Sequence, residues 1–426
     1  MVFERKELAS GIFWNAIHET KFKSNLISVR FVLPLTADTA AKNALLFPVL
    51  LRGSENFPNI GSIRREEESI YDTTLNDSVY KRGDTQVLEL RMSVLDNKYA
   101  IDGMDITERA MMLLDDILLH PITENGVFCE EYVESEKEKL IDDILAQVND
   151  KRRYAMTRLI EEMFEGDAFG LSELGTVETT EAVCPVCLWK QYHEMLSTAR
   201  IEIFAIGNFD FDALSARFAR MFEGIERRYT GAPETKVMQD ARKEIKTVYE
   251  RQNITQGKLS LGFYTGSTVH DEDYHVMQML NVIFGAGVTS KLFLNVREKL
   301  SLCYYCGSSE NGQKGYMTVN SGIEFANEKK AADEILFQLD EIKKGNISES
   351  ELRDARLALL DAIGRVGDST GNILNWYFSG VMNGKLISPE EKRALIESVT
   401  AKDIVKKAQD IRLDTYYFLC GKEGNA

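Results

Sequence analysis

Apolar positions along the chain predict strands and helices that recur in the same order in two halves. Residues 25–35 (NLISVRFVLPL) form a strand-like run, and an apolar helix is predicted to follow over 44–51. In the second half, residues 257–265 (GKLSLGFYT) alternate with the period of a strand, and residues 274–284 (YHVMQMLNVIF) follow as an apolar helix. This repetition indicates an internal duplication.

The later elements repeat in step. In the first half a strand, a helix, a long helical stretch and a closing strand are predicted at 85–94, 106–119, 131–164 and 199–207. Their counterparts in the second half are 316–322, 330–343, 348–381 and 414–421. Separate runs of strands and helices are typical of an α+β layer in which helices cover one face of a mainly antiparallel sheet. The sequence therefore predicts an α+β fold of two homologous domains.

The predicted join between the halves lies within residues 223–244. This stretch is charged, it carries the turn signal Thr230-Gly231-Ala232-Pro233, and neither helical nor strand periodicity spans it. We therefore predict a first domain over 1–225, a connector over 226–244 and a second domain over 245–426.

Composition narrows the classes of partner. The 426 residues include 51 Lys and Arg against 67 Asp and Glu, which gives a formal net charge of −16. An acidic protein without a long basic run is not expected to bind nucleic acid. The polar start and the lack of a long apolar window predict no secretory signal and no membrane partner. Six cysteines are too few for a disulfide scaffold, so we expect a cytoplasmic protein with reduced thiols.

The five histidines do not form a helical metal motif. No two of them have the i, i+4 spacing that places two imidazoles on one helical face for zinc. His193-Glu194 begins like a zinc-peptidase helix, but Ser197 stands where the second histidine would be. His270 and His275 flank three acidic residues, which are better explained as the negatively charged start of a helix.

Two Cys-x-x-Cys pairs, Cys184/Cys187 and Cys303/Cys306, lie in different halves. Zinc ribbons space such pairs by about 15–20 residues, so a shared metal site is disfavoured. Residues i and i+3 of a strand point to opposite faces, which separates Cys303 from Cys306. We interpret the pairs as inert buried thiols, although the position of Cys184 just before the helical stretch 188–196 leaves a thioredoxin-like role open.

Two further motifs have ordinary structural explanations. Gly285-Ala286-Gly287 follows a helix rather than a strand, so it is predicted to end that helix in a left-handed cap and not to bind phosphate. Glu136 and Asp143 are seven residues apart on one face of a predicted helix. Such a pair serves metal or acid–base chemistry, or it belongs to the solvated face of the helix.

Residues 289–305 (TSKLFLNVREKLSLCYY) closely resemble the second-domain motif of the insulinase/pitrilysin/mitochondrial-processing-peptidase family of zinc peptidases. In that family S-R-L-F precedes V-R-E-K, a small residue and Leu-Ala-Tyr. Residues 285–287 resemble its glycine-rich loop, and residues 51–54 (LRGS) resemble the F-K-G-T that follows its zinc helix. The resemblance covers nearly the whole chain and implies two domains that form half of a clamshell.

The same resemblance implies that the zinc site is lost. Catalytic members carry His-x-x-Glu-His on a first-domain helix, where the histidines bind zinc and the glutamate activates water. Alignment on residues 51–54 places Ala44, Phe47 and Pro48 at these positions and the distal acidic ligand near Asp143. The first three offer no lone pair and no titrating group. The chain is thus expected to be a non-catalytic bacterial member with no catalytic residue, metal or cofactor of its own.

The resemblance also implies a substrate-binding role for Arg297 and Tyr304. These match an Arg and a Tyr that, in active members, hold the substrate backbone and help to stabilise the oxyanion. The alternative is that Arg297 pairs with a helix acid and Tyr304 packs in a strand. Val296 and Leu300 are predicted to form the buried edge of the helix that carries Arg297, and a strand at 302–308 is predicted to form a hairpin with the strand from 316.

A lost zinc helix beside a retained Arg/Tyr pair predicts one subunit of a heterodimeric metalloendopeptidase. The expected partners are a zinc-bearing homologous subunit and a peptide or small protein substrate. Extended peptides add to sheet edges, and the strand at 85–94 is predicted to be that edge. One alternative is a non-enzymatic binding or assembly protein that grips a partner in the clamshell. Another is a redox or metal protein that uses its cysteine pairs.

Overall fold

The computed structural model describes residues 2–231 and 233–422. Its contacts divide into two compact units, each made of more than one chain segment. The first contains residues up to 146, 171–234 and 368–375, and the second contains 147–170, 235–367 and the chain from 376 onward. Residues 147–170 thus pack with the second unit, although they precede the predicted boundary at 225. The boundaries at 225 and 245 follow the sequence repeat, and they stay a prediction.

Thirteen strands are described. They are β1 (Val2–Ala9), β2 (Ile12–His18), β3 (Ser24–Pro34), β4 (Thr74–Arg82), β5 (Thr85–Leu95), β6 (Thr123–Glu124), β7 (Val127–Phe128), β8 (Arg200–Gly207), β9 (Lys246–Gln252), β10 (Gly257–Tyr264), β11 (Cys303–Asn311), β12 (Tyr316–Ile323) and β13 (Arg412–Gly421).

The described α-helices are α1 (Ala40–Leu50), α2 (Ile60–Ser69), α3 (Ile106–Leu119), α4 (Glu130–Ala146), α5 (Lys151–Met163), α6 (Val177–Glu181), α7 (Pro185–Thr198), α8 (Phe211–Met221), α9 (Tyr274–Asn281), α10 (Glu328–Lys343), α11 (Glu349–Gly364), α12 (Thr370–Met382), α13 (Pro389–Ser398) and α14 (Ala401–Ala408). Two π-helical segments, Val282–Ala286 and Leu292–Lys299, follow α9.

The two main sheets have the same topology. The first sheet has the order β1-β2-β8-β3-β5-β4, and the second, read from its far edge, has the order β9-β13-β10-β12-β11. In both sheets the closing strand pairs in parallel with the first strand of the repeat, β2 with β8 and β9 with β13, while the other neighbours are antiparallel. β1 is an addition at one edge of the first sheet. The predicted α+β fold with two similar halves is therefore confirmed.

The prediction that the strand at 85–94 forms an edge of the first sheet is wrong. β5, which corresponds to the predicted strand at 85–94, pairs with β3 on one side and with β4 on the other. The edge of the first sheet at this end is β4, and β11 is the equivalent edge of the second sheet. Alternation of apolar residues indicated a strand but carried no information about its neighbours.

The core of the first unit lies between its sheet and the helices α1, α3 and α7. α1 is mostly apolar, and nine of its eleven residues are buried. Asp105 caps α3 by accepting a hydrogen bond from the backbone N–H of Glu108, so this helix begins where the predicted helix at 106–119 does. The long helix predicted over 131–164 is broken after α4, and Asp150 caps the start of α5.

In the second unit both faces of the sheet are covered. Successive residues of β13 point to opposite faces, so that Tyr417 and Leu419 pack against Ala155 and Leu159 of α5. Phe418 belongs to the larger core on the other face, with residues of α9, α10 and α14. Contacts of this kind assign α5 to the second unit.

The connector is irregular, as predicted. Described residues between α8 and β9 form neither helix nor strand, while Ala232 of the predicted turn lies outside the described residues. Within residues 2–231 and 233–422, no helix is both long enough and apolar enough to cross a bilayer.

Candidate functional site

The first-unit positions that the resemblance assigned to zinc chemistry are part of an apolar helix. Ala44 and Phe47 are buried in α1, and the Phe47 ring packs edge-on against Phe31 of β3 with a centroid separation of 5.6 Å. Pro48 is half-buried near the end of α1 and has no N–H to donate to the Ala44 carbonyl. These side chains contain no metal donor, so they do not fit a zinc ion.

A neutral amide network occupies the polar side of α1. The Asn43 amide nitrogen donates to the Gln86 side-chain oxygen at 2.8 Å, and the Gln191 amide donates to the Asn43 oxygen at 2.7 Å. Gln86 in turn donates to the backbone carbonyl of Ala40 at 3.0 Å. The network links α1, β5 and α7 without any titrating group, so it contributes structure rather than acid–base chemistry. These residues could not be recognised from the sequence, because isolated amides in apolar segments form no motif.

The two acids of α4 have different surroundings. Glu136 is buried and accepts hydrogen bonds from Arg52 Nη1 at 3.2 Å and from Lys139 Nζ at 2.7 Å. Asp143, which was placed at the distal ligand position, is exposed. Among the residues that the structure describes, no cluster of three or more His, Cys, Asp or Glu side chains could hold a metal ion.

Arg297 lies on the π-helical segment Leu292–Lys299, where the Leu300 N–H donates to the Asn295 carbonyl five residues earlier at 3.1 Å. Its guanidinium lies over the Phe293 ring at 4.7 Å from the centroid, and Nε is 3.6 Å from Glu298 Oε1. The side chain keeps 41% of its surface exposed. Contacts of this type, exposed and long, hold a cation weakly.

The expectation of a buried edge at Val296 and Leu300 is half wrong. Val296 is buried, but Leu300 is 44% exposed. A turn closed by i→i+5 hydrogen bonds contains more residues than an α-helical turn. Residues four apart therefore no longer share a face in this segment.

Tyr304 lies on a β-bulge at the start of β11. The ladder pairs Cys303 with Ile323 and Tyr305 with Gly322, so Tyr304 is the extra residue between two successive pairs. The residue is 62% exposed. Bulges bend a strand and turn one side chain away from the regular pleat, and they are common beside active sites. The predicted hairpin of β11 and β12 is confirmed, and the bulge is an addition to it.

The glycine-rich segment fixes β11 against the preceding helix. A Cβ on Gly285 would lie 2.6 Å from Ser308 Oγ and 2.7 Å from the Ser308 backbone nitrogen. Only glycine permits this approach. The Ser308 hydroxyl also donates to the Asn281 side-chain oxygen at 2.6 Å. Gly287 ends the helix with φ −119° and ψ 160°, so the predicted helix end is confirmed but the left-handed cap is wrong.

The bulge also brings two cysteines to one face. Cys303 pairs with Ile323 and Cys306 with Ser321, two residues apart on β12, so both point to the same side of the sheet. The expectation of opposite faces is therefore wrong. A hydrogen bond between the two thiols lowers the pKa of Cys303, with a smaller contribution from the charge of Arg297. The same bond and burial raise the pKa of Cys306.

The other pair, Cys184 and Cys187, is more exposed to solvent than Cys303 and Cys306. Cys184 is exposed at the start of α7, and Cys187 and Cys303 are half-buried, so the expectation of buried thiols is wrong for these three residues and correct for Cys306. All six cysteines are free.

An open cavity of about 900 Å³ lies in the first unit beside α7 and α8. Its wall includes His120, Trp189, His193 and Arg217. His193 packs edge-on against Trp189 with centroids 4.7 Å apart, and burial lowers its pKa. None of the predicted site residues lines this cavity.

Comparison with known proteins identifies the family. The family described as "Peptidase M16 inactive domain" matches residues 188–359. The "Probable inactive metalloprotease YmfF" of Bacillus subtilis (strain 168) is 31% identical over 423 residues, which cover 99% of this chain and 99% of that protein. The chain belongs to the M16 peptidase family. The resemblance inferred from residues 289–305 is confirmed.

Solved structures of similar proteins share the fold over the full length. A conserved protein from Enterococcus faecalis V583 superimposes with a TM-score of 0.93 and 28% identity, covering 100% of both chains. The peptidase M16 inactive domain from Pseudomonas fluorescens superimposes with a TM-score of 0.79 and 17% identity, covering 99% of both chains. The loss of metal donors at Ala44, Phe47 and Pro48 agrees with an inactive M16 peptidase homologue.

Proposed function

We propose that this M16 protein is the non-catalytic subunit of a heterodimeric metalloendopeptidase. In this proposal it pairs with a homologous subunit that carries zinc, and it contributes Arg297 and Tyr304 to the binding of a peptide or small protein substrate. The observation that carries the proposal is a contrast between the two units. Apolar side chains replace the metal donors of the first unit, whereas a cation and a phenol stay exposed in the second.

The surroundings of Arg297 suit a substrate-binding role. Its contacts with Phe293 and Glu298 come from its own segment, and they leave 41% of the side-chain surface exposed. A guanidinium forms strong, charge-assisted hydrogen bonds with carboxylates and can donate two bonds at once. Arg297 can exchange its 3.6 Å contact with Glu298 for a direct hydrogen bond to a substrate carbonyl or carboxylate. This exchange costs little, because exposed ion pairs contribute about 1 kcal/mol or less.

Tyr304 is suited to donate a hydrogen bond from a fixed position. The bulge removes its side chain from the pleat, while the close contact of Gly285 with Ser308 holds the strand that carries it. Donors that are positioned before the reaction stabilise an oxyanion effectively, since they need no reorganisation as charge develops. In the heterodimer Tyr304 acts on a substrate that the zinc-bearing subunit holds.

An extended substrate needs an unpaired strand edge. β5 has neighbours on both sides, so the proposal assigns this role to β4, the outer strand at the same end of the sheet. Backbone hydrogen bonds to an edge strand give affinity with little dependence on substrate sequence. The proposal also places the protein in the cytoplasm, which its free cysteines favour.

Purification from the native host under mild conditions, followed by mass spectrometry of the bound proteins, tests the proposal. The expected result is a stoichiometric M16 homologue that carries His-x-x-Glu-His, and the reconstituted pair should cleave peptides that neither chain cleaves alone. Recovery of the protein without such a homologue, in a host whose genome encodes none, would contradict the proposal. The binding or assembly protein would then be the better assignment.

A further inference from the structure

The start of α7 carries two thiols in a reciprocal arrangement. Cys184 is the N-cap of this 14-residue helix, and the Cys187 backbone N–H donates to Cys184 Sγ at 3.2 Å. In return the Cys184 backbone N–H donates to Cys187 Sγ at 2.8 Å, and the Cys187 thiol donates to the Cys184 carbonyl at 2.9 Å. These bonds hold both sulfur atoms on the same turn.

Helix capping does not require sulfur at these positions. Sulfur is a weak hydrogen-bond acceptor, and Ser, Thr, Asp and Asn are the preferred N-caps. Elsewhere in the described part of the chain, capping boxes use oxygen acceptors from Asn59, Thr176, Ser348, Ser388 and Thr400. The fold therefore obtains the same cap from oxygen at other helices, and the pair of thiols at α7 adds a chemistry that a cap does not need.

The electrostatic surroundings differentiate the two sulfurs. A hydrogen bond from Cys187 lowers the pKa of Cys184, assisted by backbone N–H groups and the charge of Lys137. Burial raises the pKa of Cys187. The positive end of a helix dipole further favours a thiolate at the N-cap. An exposed thiol of lowered pKa beside a half-buried thiol of raised pKa is the arrangement in which one sulfur attacks and the other resolves.

We propose that Cys184 and Cys187 form a redox-active dithiol that exchanges with disulfides of small thiols or of proteins. The Cys184 thiolate attacks one sulfur of a disulfide R–S–S–R′, which forms a Cys184–S–S–R bond and releases R′S⁻. Cys187 then loses its proton and attacks Cys184 Sγ, which forms the Cys184–Cys187 bond and releases RS⁻. The two cysteines lose two electrons, and the disulfide gains them and becomes two thiols after protonation. This activity does not rest on the proposed peptidase role.

The other cysteines are less accessible to such an oxidant. Cys129 and Cys306 are buried, and Cys303 and Cys420 are half-buried. Thiol–disulfide exchange requires access as well as thiolate character. Cys184 meets both conditions.

The test treats the full chain with glutathione buffers of graded redox potential, followed by alkylation of the remaining thiols and peptide mapping. In the native protein and in the Cys303→Ser/Cys306→Ser control, we expect a reversible Cys184–Cys187 disulfide. Cys187→Ser should accumulate glutathione on Cys184 instead, and Cys184→Ser should form neither product. Serine is a preferred N-cap, so these variants should keep the circular dichroism spectrum of the native chain.

A second measurement separates reactivity from mere exposure. In Cys187→Ser the serine hydroxyl can replace the hydrogen bond that the Cys187 thiol gives to Cys184. The alkylation rate of Cys184 in this variant should therefore exceed that of free glutathione at pH 7 by about tenfold, because a lower pKa leaves more thiolate. Absence of a Cys184–Cys187 disulfide at a large excess of glutathione disulfide would overturn the proposal. An alkylation rate at or below that of glutathione would overturn it as well, since the thiols would then serve only as a helix cap.

Discussion

Arg30 and Glu89 lie directly opposite each other on β3 and β5, with both side chains buried and Arg30 Nη2 3.1 Å from Glu89 Oε1. Ser28 donates a further hydrogen bond to Glu89 at 2.7 Å. The pair therefore lies in the central strands of the first sheet, where water does not screen the two charges.

Replacement of Glu89 by glutamine should destabilise the protein strongly. It removes the negative charge that faces buried Arg30, and breaking a buried pair in this way costs about 3–5 kcal/mol. Urea unfolding followed by circular dichroism measures the effect. Glu194→Gln is the matched control, because Glu194 pairs with Arg228 at the surface and should change stability by about 1 kcal/mol or less. Equal losses of unfolding free energy in Glu89→Gln and Glu194→Gln would contradict the strong dependence of stability on the buried pair.

The purified protein alone should bind no zinc at α1 and should not hydrolyse peptides. Ala44, Phe47 and Pro48 supply no metal donor, so a chelator should leave the thermal midpoint unchanged. Elemental analysis after dialysis measures the metal directly. One zinc per chain that disappears in Asp143→Asn would show that a different donor set exists.

Tyr304→Phe should lower the turnover of the reconstituted heterodimer by about a hundredfold or more, the usual cost of removing an oxyanion donor. Tyr305→Phe is the matched control, since its ring is half-buried beneath the guanidinium of Arg152 at 4.2 Å. Arg297→Ala should also weaken substrate binding. Steady-state kinetics with a titration of subunit association separate these effects. Full activity in both Tyr304→Phe and Arg297→Ala would make the pair structural.

Gly285→Ala should destabilise the second unit by about 1–3 kcal/mol, the usual cost of overpacking. The new methyl group would meet Ser308 and Leu292 at 2.6 and 2.7 Å. Gly287→Ala provides the comparison, because its nearest neighbour would be Val282 at 3.6 Å and its backbone is extended. Gly285→Ala should therefore have a lower thermal midpoint than Gly287→Ala. Similar midpoints would contradict the close approach of Gly285 to β11.

Loss of the proton from Glu310 should lower the free energy of unfolding as the pH rises above about 4.5. Burial raises the pKa of this carboxyl from 4.5, and the Tyr274 hydroxyl donates a hydrogen bond to it. Between 4.5 and the higher folded value, the folded state holds more protons than the unfolded state, so raising pH favours unfolding. Glu310→Gln should flatten the free energy of unfolding in this window.

Lys392 supplies a second check in another pH range. Burial lowers its pKa from 10.5 to about 8, so the unfolded state holds more protons between these values and stability should rise with pH there. Lys392→Met should remove that rise, and because the charge of Lys392 also lowers the pKa of Glu310, it should extend the acidic window to higher pH. Unfolding free energies measured across both ranges distinguish the two groups.

Hydrophobic periodicity predicted the parts of the fold in which the backbone is a regular helix or strand. The helix at 106–119 and the strands at 85–94 and 316–322 agree with α3, β5 and β12 within two residues. β4 was missed because its sequence, TLNDSVYKR, is mostly polar and follows the exposed edge of a sheet. A strand with one open side has less need of an apolar pattern.

The site was harder to predict because its residues lie in irregular backbone. The bulge at Tyr304 changed the face of Cys303, and the π-helical segment exposed Leu300. Neither the bulge nor the π-helical segment produces a regular period in the hydrophobicity pattern. The sequence could identify Arg297 and Tyr304 by type and order, whereas their exposure depends on these local departures from regular structure.

Because Tyr304 lies outside the β11–β12 ladder, the sheet tolerates a change in chain length at this position. Loss of residue 304 would restore continuous pairing from Cys303 to the residue that follows it, and the register of the rest of β11 would survive. Strand geometry thus imposes no requirement for an aromatic ring or a hydroxyl group at this point. Any selection that maintains a tyrosine there arises from molecules that meet the ring from outside the strand.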